Sequence, residues 1–103
     1  MINTLLNLID TIDDLDPNLT IYIEDIPELS IHSKAIACPP SDDGSIYSLD
    51  GYVYLLEVEL AKEVVEVWTN WRNGRIPSSD QKAEAVLYYG LNDAYLPLEN
   101  GEN

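Results

Sequence analysis

The 103-residue sequence contains no phenylalanine, one cysteine, one histidine and only five cationic side chains against 19 acids. A single cysteine, Cys38, excludes an internal disulfide framework. His32 and Cys38 have no CxxC or HxxxH partner, and a metal site needs several converging ligands, so we expect neither a metal nor a cofactor. No apolar run approaches the ~20 residues that span a bilayer. The first 30 residues also lack the basic start and apolar core of a signal peptide. These absences predict a soluble, cytoplasmic protein.

The sequence also lacks a signature of catalysis. The serines of the central segment, Ser41, Ser45 and Ser48, have no GxSxG elbow, and the chain has no glycine-rich phosphate loop. Acid pairs that could form a hydrolytic dyad are plentiful, but 19 acids produce such pairs by chance. We therefore expect no catalytic residue and a protein that is not an enzyme. A small enzyme that uses an acid pair is the alternative from that class.

The apolar residues, 46% of the chain, follow helix and strand periods and predict one domain over residues 1–98 with a frayed polar tail over residues 99–103. Helical spacing predicts an amphipathic helix over residues 2–15, which stops before Pro17. Strands are predicted over residues 19–24, 34–38, 45–49 and 52–58. Asp50-Gly51 predicts a two-residue hairpin that places Tyr47 opposite Tyr54 on a tyrosine-rich face.

Two helices are predicted after the strands. The first ends at Asn73-Gly74, and the second begins near Ser79, after a capping box of Ser78 and Gln81. The expected core stripes are Leu60, Val64, Val67, Trp68 and Trp71 in the first helix, and Ala83, Val86, Leu87 and Leu91 in the second. The sum is an α+β domain: an N-terminal helix, a three- or four-stranded antiparallel meander and two C-terminal helices.

The segment WTNWRNGRIP, residues 68–77, holds both tryptophans and two of the five cations. Trp68 and Trp71 are three residues apart on the predicted core stripe, and Arg72 lies in the last turn, where positive charge favours the helix dipole. We therefore interpret the segment as a structural corner between two helices rather than as a binding motif.

The acids are distributed unevenly. Residues 1–61 contain 12 acids and one base, Lys34, which gives a net charge of −11; residues 62–103 contain seven acids and four bases, which gives −3. With a pI near 4.1 we expect no direct contact with nucleic acid or an anionic membrane. Two interpretations stay open: the acids only solubilise the chain, or they meet a cationic surface. Acids in the C-terminal half of the first helix oppose its dipole, which favours the second interpretation. The seven tyrosines suit either a surface that is buried on binding or a covering of the sheet.

The run VVEVWTNWRNG, the acid-bearing helix after it and the order of elements resemble small phage-encoded anti-CRISPR inhibitors that mimic DNA. In size and charge the chain is also similar to immunity proteins that neutralise basic nuclease toxins. The likeness covers order and composition over most of the chain, not a specific motif. It implies a non-enzymatic inhibitor whose carboxylates stand in for phosphates in the basic channel of a nucleic-acid-binding enzyme.

Because four of the five bases lie in residues 62–103, such binding would use only the acidic N-terminal half of the chain. The expected partner is a basic protein, and the expected partner-binding residues are Asp10, Asp13, Asp14, Glu24, Asp25, Asp42, Asp43, Tyr47 and Tyr54. The alternatives are an immunity protein or antitoxin for a basic nuclease toxin, and an adaptor domain that oligomerises, for example as a homodimer.

Overall fold

The computed structural model describes residues 3–39 and 51–97. The elements are, in chain order, β1 (Asn3–Thr4), α1 (Leu5–Asp10), a 3₁₀ turn (Ile12–Asp14), β2 (Thr20–Glu24), β3 (Lys34–Cys38), β4 (Tyr52–Glu57), α2 (Val58–Trp71) and α3 (Ser79–Asn92). The strands are antiparallel, and the predicted α+β class is confirmed. The predicted strand over residues 45–49, its turn residue Asp50 and the polar tail lie outside the described residues. Each helix within residues 3–39 and 51–97 is too short or too polar to cross a bilayer.

The strand order is β1-β3-β2-β4, so β4 pairs with β2 rather than with its predecessor β3. The predicted pairing of residues 52–58 with residues 45–49 lies outside the described residues. β2 is buried on both faces from Thr20 to Ile23, and such a strand is most stable between two neighbours. Its core face carries Ile21 and Ile23. The opposite face carries Tyr22, which lies directly across from Tyr54.

A register shift in the pairing of β2 with β4 explains the burial of two successive leucines. Ile21 pairs with Leu56 and Tyr22 pairs with Tyr54, which leaves Leu55 as the extra residue of a β-bulge. Leu55 is 3% exposed and Leu56 is 1% exposed. Strict alternation would have placed one of them on the opposite face.

The first helix is shorter than predicted. The Thr4 hydroxyl caps its N-terminus by accepting the Asn7 N–H at 3.2 Å, so Asn3 and Thr4 form a strand instead of a first turn. At the other end the Thr11 hydroxyl donates to the Leu8 carbonyl at 3.3 Å. Such local bonds compete with helix continuation, and α1 ends at Asp10, well before Pro17.

The C-terminal helices begin and end close to the predicted positions. Asn73 and Gly74 both take positive φ after α2, and Ser78 and Gln81 form the predicted capping box of α3. The buried residues are Val58, Ala61, Val64 and Trp68 in α2, and Ala83, Ala85, Val86 and Leu87 in α3.

Two core predictions are wrong: Trp71 is 47% exposed and Leu91 is 55% exposed. Both lie at the C-terminal ends of their helices, where the neighbouring elements no longer cover them. The predicted stripe residues Leu60 and Val67 are only partly buried.

The core lies between the helices and the sheet face of Ile21 and Ile23. The closest approach of helix to sheet is at Gly90 of α3, where an added Cβ would lie 2.3 Å from Leu55 Cδ1. Only glycine fits there without a shift of its neighbour.

Candidate partner-binding site

An open groove of about 630 Å³ runs along the exposed side of α2. It is lined by the exposed glutamates Glu57, Glu59, Glu63 and Glu66, by Lys62 and Leu60, and by Pro17 and Asn18 of the preceding loop. Glu57 is the N-cap residue of α2, and the other three glutamates project from the helix at four- and three-residue steps. The groove is therefore a concave surface whose charge is mostly carboxylate.

Lys62 is the one cation among the residues that line the groove, and its ammonium is engaged with the backbone. Lys62 Nζ donates to the Leu15 carbonyl at 3.0 Å. The bond fixes the loop after the 3₁₀ turn against α2 and holds the positive charge beside the loop. Four carboxylates against one tied ammonium leave the groove strongly negative.

The spacing of the carboxylates follows from helix geometry. Glu59, Glu63 and Glu66 span seven residues, which is about 10 Å along the axis at ~1.5 Å per residue. That is one charge in about 5 Å, against one in about 3.4 Å along a single DNA strand. Like charges at these steps destabilise an isolated helix by roughly 0.2–0.5 kcal/mol per pair. Glu59 lies in the first turn, where the helix dipole favours a carboxylate, so the repulsion falls mainly on Glu63 and Glu66.

Two of the predicted residues lie near this groove. Asp13 and Asp14 are exposed on the 3₁₀ turn, which packs against α2 and precedes the groove residues Pro17 and Asn18. Asp16, which lies between Asp14 and Pro17 in the sequence, accepts the Asn18 N–H at 2.9 Å. The acids of the turn therefore extend the negative surface of α2 at its N-terminal end.

Asp10 and Glu24 are engaged within the fold. The Asp10 carboxylate accepts the Ser79 hydroxyl at the first residue of α3, so the positive end of the α3 dipole compensates a charge that α1 alone would disfavour. The expectation that these acids oppose the dipole of the first helix is wrong for Asp13, Asp14 and Asp16, which follow the end of α1, and Asp10 at that end also serves a second helix. Glu24 Oε2 accepts the Lys34 N–H at 2.6 Å, where β2 and β3 diverge.

The remaining predicted residues are separated from the groove or lie outside the described residues. Glu24 and the exposed Asp25 lie at the far end of β2, about 13 Å of strand from Thr20, which faces Glu57. Asp42, Asp43 and Tyr47 lie outside the described residues.

Tyr54 lies on the strand that leads into the groove. It is 47% exposed and its hydroxyl donates to Glu57. Partial burial, the hydrogen bond to Glu57 and the nearby carboxylate of Asp93 raise the pKa of Tyr54 above 10.0.

An aromatic cluster continues the acidic groove toward the C-terminal end of α2. The Trp71 and Tyr95 ring centroids are 5.6 Å apart at an interplanar angle of 69°, and Tyr95 lies 5.1 Å from Tyr89. Partial burial, the charge of Glu63 and a hydrogen bond to Glu63 raise the pKa of Tyr95. Glu63 therefore belongs to both the groove and the cluster.

The two arginines of the corner, Arg72 and Arg75, lie near the ring of Trp68 rather than that of Trp71. The Arg72 guanidinium lies 4.4 Å from the centroid of Trp68, and the more distant Arg75 lies at 6.0 Å. Arg72 is 2% exposed and donates to the carbonyls of Trp68 at 3.2 Å and Pro97 at 3.4 Å. These contacts join α2 to the segment after α3, as expected of a structural corner.

The glutamates of α2 and the pair Trp71 and Tyr95 are absent from the predicted site. The four- and three-residue steps of Glu59, Glu63 and Glu66 are visible in the sequence, where they indicate only a solvated face. Their concave setting depends on the loop at Pro17, which no local pattern places beside α2. Among the side chains that the structure places, no three His, Cys, Asp or Glu residues converge closely enough to bind a metal ion.

Comparison of the chain with protein-family models, with curated protein sequences and with solved structures gave no match. A function has to be inferred from the groove and the residues around it.

Proposed function

We propose that this protein is a non-enzymatic binding protein that captures a basic protein surface with the acidic groove of α2. The observation that carries the proposal is the concave row of Glu57, Glu59, Glu63 and Glu66, whose one lining cation is tied to the Leu15 carbonyl. Complementary potentials of this kind speed association and fix the register of two partners.

The concentration of like charge in the groove supports a functional rather than a solubilising role. Acids that only keep a chain soluble are best spaced among bases, whereas the four groove glutamates have Lys62 alone among them. Shape adds to this argument, because a solubilising acid gains nothing from lying in a groove.

The partner class that fits best is a nucleic-acid-binding enzyme whose basic channel the protein occupies. The charge spacing of α2 is about two thirds as dense as a single DNA strand, so cations arranged for phosphates meet a comparable row of carboxylates. The acids of the 3₁₀ turn lengthen that row. An immunity protein for a basic nuclease toxin would use the same surface and the same electrostatics.

The experiment compares two variants with the same change in net charge. Glu59→Gln/Glu63→Gln/Glu66→Gln neutralises the groove, and Glu24→Gln/Asp25→Asn/Glu28→Gln neutralises the opposite end of the sheet. Each immobilised protein is exposed to a lysate of its source cells at about 0.1 M salt, and retained proteins are identified by mass spectrometry and released at about 1 M salt. Each exposed ion pair contributes ~0.2–1 kcal/mol, so the groove variant should bind a retained basic protein about threefold to a hundredfold more weakly.

The control distinguishes a specific surface from bulk charge. Equal losses in the two variants would mean that net charge alone attracts the partner, and the proposal would fail. Retention of no basic protein at low salt would also contradict it. Excess short duplex DNA then tests the partner class against polyglutamate of equal total charge: DNA should displace the protein from a DNA-binding channel more effectively than polyglutamate does, whereas the two polyanions should displace it equally from another basic surface.

A further inference from the structure

Trp71 is the one tryptophan with an open ring. Trp68 is 4% exposed and is covered by Arg72, whereas Trp71 is 47% exposed. Large exposed aromatic side chains are uncommon on an isolated domain and are enriched at the centres of interfaces. Trp71 is therefore a candidate contact residue for a ligand or partner.

The neighbours of Trp71 select a cation. Tyr95 stands nearly edge-on to the Trp71 ring and is hydrogen-bonded to the Glu63 carboxylate, while Glu66 lies three residues after Glu63 and five before Trp71 on α2. An aromatic face attracts a cation, and a carboxylate beside it can accept the donors of a guanidinium. The chain is strongly acidic, so a second copy of it would be repelled.

We propose that Trp71, Tyr95 and Glu63 form an arginine-binding site, in which a guanidinium of the partner stacks on Trp71 and donates to Glu63. The inference rests on the proposed function and names the side chain that the acidic groove receives. The same packing already occurs within the fold, where the Arg72 guanidinium lies 4.4 Å from the Trp68 ring centroid. Arginine is preferred to lysine because its planar group stacks and donates in two directions at once.

Helix geometry sets the spacing of a second cation. A guanidinium held between Trp71 and Glu63 lies level with the midpoint of residues 63 and 71, which is eight residues, or about 12 Å along the axis, from Glu59. In an extended segment, side chains four residues apart are separated by about 13 Å. A partner segment with arginines four residues apart thus places one on Trp71 and the other beside the groove glutamates.

The test uses an acetylated and amidated peptide, Gly-Arg-Gly-Gly-Gly-Arg-Gly, titrated into the full-length protein and followed by the Trp71 indole N–H resonance. Lysine and citrulline versions of the peptide are the ligand controls. We expect the arginine peptide to shift the Trp71 resonance and to bind more tightly than the lysine peptide, and the citrulline peptide to cause no shift. Trp71→Phe and Trp71→Leu lack that resonance, so their binding is measured by isothermal titration calorimetry; the two substitutions should weaken it progressively, by about two- to fivefold for the leucine variant.

Three results would overturn the site. Equal binding of the arginine and lysine peptides, or unchanged binding by Trp71→Leu, would leave a purely electrostatic groove and no arginine site. A homodimer that Trp71→Leu converts to a monomer in sedimentation would assign Trp71 to self-association. In each of these cases, the proposed function would still hold if substitution of the groove glutamates weakened capture of the partner. Glu63→Gln should also weaken binding of the arginine peptide, with Glu28→Gln as the control for the loss of one charge elsewhere. The helix content of each variant by circular dichroism shows that it is folded.

Discussion

Substitution of Arg72 by alanine should destabilise the protein severely while leaving partner binding intact. The guanidinium is buried and donates to the carbonyls of Trp68 and Pro97, and it lies on the Trp68 ring. The two hydrogen bonds contribute roughly 1 kcal/mol each, and a desolvated cation–π contact adds about 1–2 kcal/mol. With the loss of packing around the alkyl stem, we expect Arg72→Ala to lower the free energy of unfolding by about 3–4 kcal/mol.

That loss is a large part of the roughly 5–15 kcal/mol that stabilises a domain of this size. It corresponds to a fall in Tm of at least about 12 °C, at ~4–8 °C per kcal/mol. The assay is urea denaturation followed by far-ultraviolet circular dichroism, because Trp68 fluorescence would change with its local contact. Arg72→Lys keeps the charge but not the planar group, so its free energy of unfolding should lie between those of the unsubstituted protein and Arg72→Ala.

Arg75→Ala is the matched control. Arg75 is exposed and its guanidinium lies 6.0 Å from the same ring centroid, so we expect a loss below about 1 kcal/mol. Comparable losses for the two alanine variants would refute the assignment of Arg72 as the buried link. Unchanged stability with weakened partner binding would restore the corner as an interface.

Three further predictions concern contacts between distant parts of the chain. Asp10→Asn should lower the free energy of unfolding by about 1 kcal/mol in urea denaturation, because the charge that accepts the Ser79 hydroxyl at the start of α3 is lost. If the two residues act through this bond, Asp10→Asn/Ser79→Ala should have the same free energy of unfolding as Ser79→Ala alone. Gly90→Ala should cost about 1–3 kcal/mol in the same assay despite alanine's higher helix propensity, because its Cβ meets Leu55; a stabilised variant would contradict the packing. Because the pKa of Tyr54 is raised in the folded state, its stabilising contribution is complete below pH about 10 and is lost as pH rises through the folded pKa. Tyr54→Phe should therefore reduce the fall in the free energy of unfolding at alkaline pH, and an unchanged slope against pH would exclude Tyr54 as its source.

The parts of the fold that the sequence predicts are those set by local chemistry. Ser78 and Gln81 satisfy the first N–H groups of α3 from three residues away, and Asn73 and Gly74 take the left-handed backbone that ends α2. The strands over residues 20–24 and 34–38 follow from short apolar runs. The early end of α1 depends on the Thr11 hydroxyl, whose competing bond leaves no periodic trace.

Features that depend on distant residues were not predictable. The pairing of β2 with β4 joins residues 28 to 37 positions apart, and no turn signal specifies it. Trp71 and Leu91 match their helical stripes but lie where no neighbour covers them. In the sequence nothing distinguishes Asp10 from the other 18 acids, because its role depends on Ser79, which α3 places beside it. The same limit applies to the groove, because the loop that encloses the α2 glutamates is positioned by a lysine contact 47 residues away.

β4 passes into α2 without an intervening loop, since the strand ends at Glu57 and the helix begins at Val58. The Val58 N–H also donates to the Leu19 carbonyl at 2.9 Å, so the first turn of α2 is bonded to the chain just before β2. The helix cannot rotate about its axis or swing outward without breaking the sheet. A partner therefore meets a pre-organised surface, and the conformational entropy lost on association is confined to side-chain rotamers, at roughly 0.5–1.5 kcal/mol for each one immobilised.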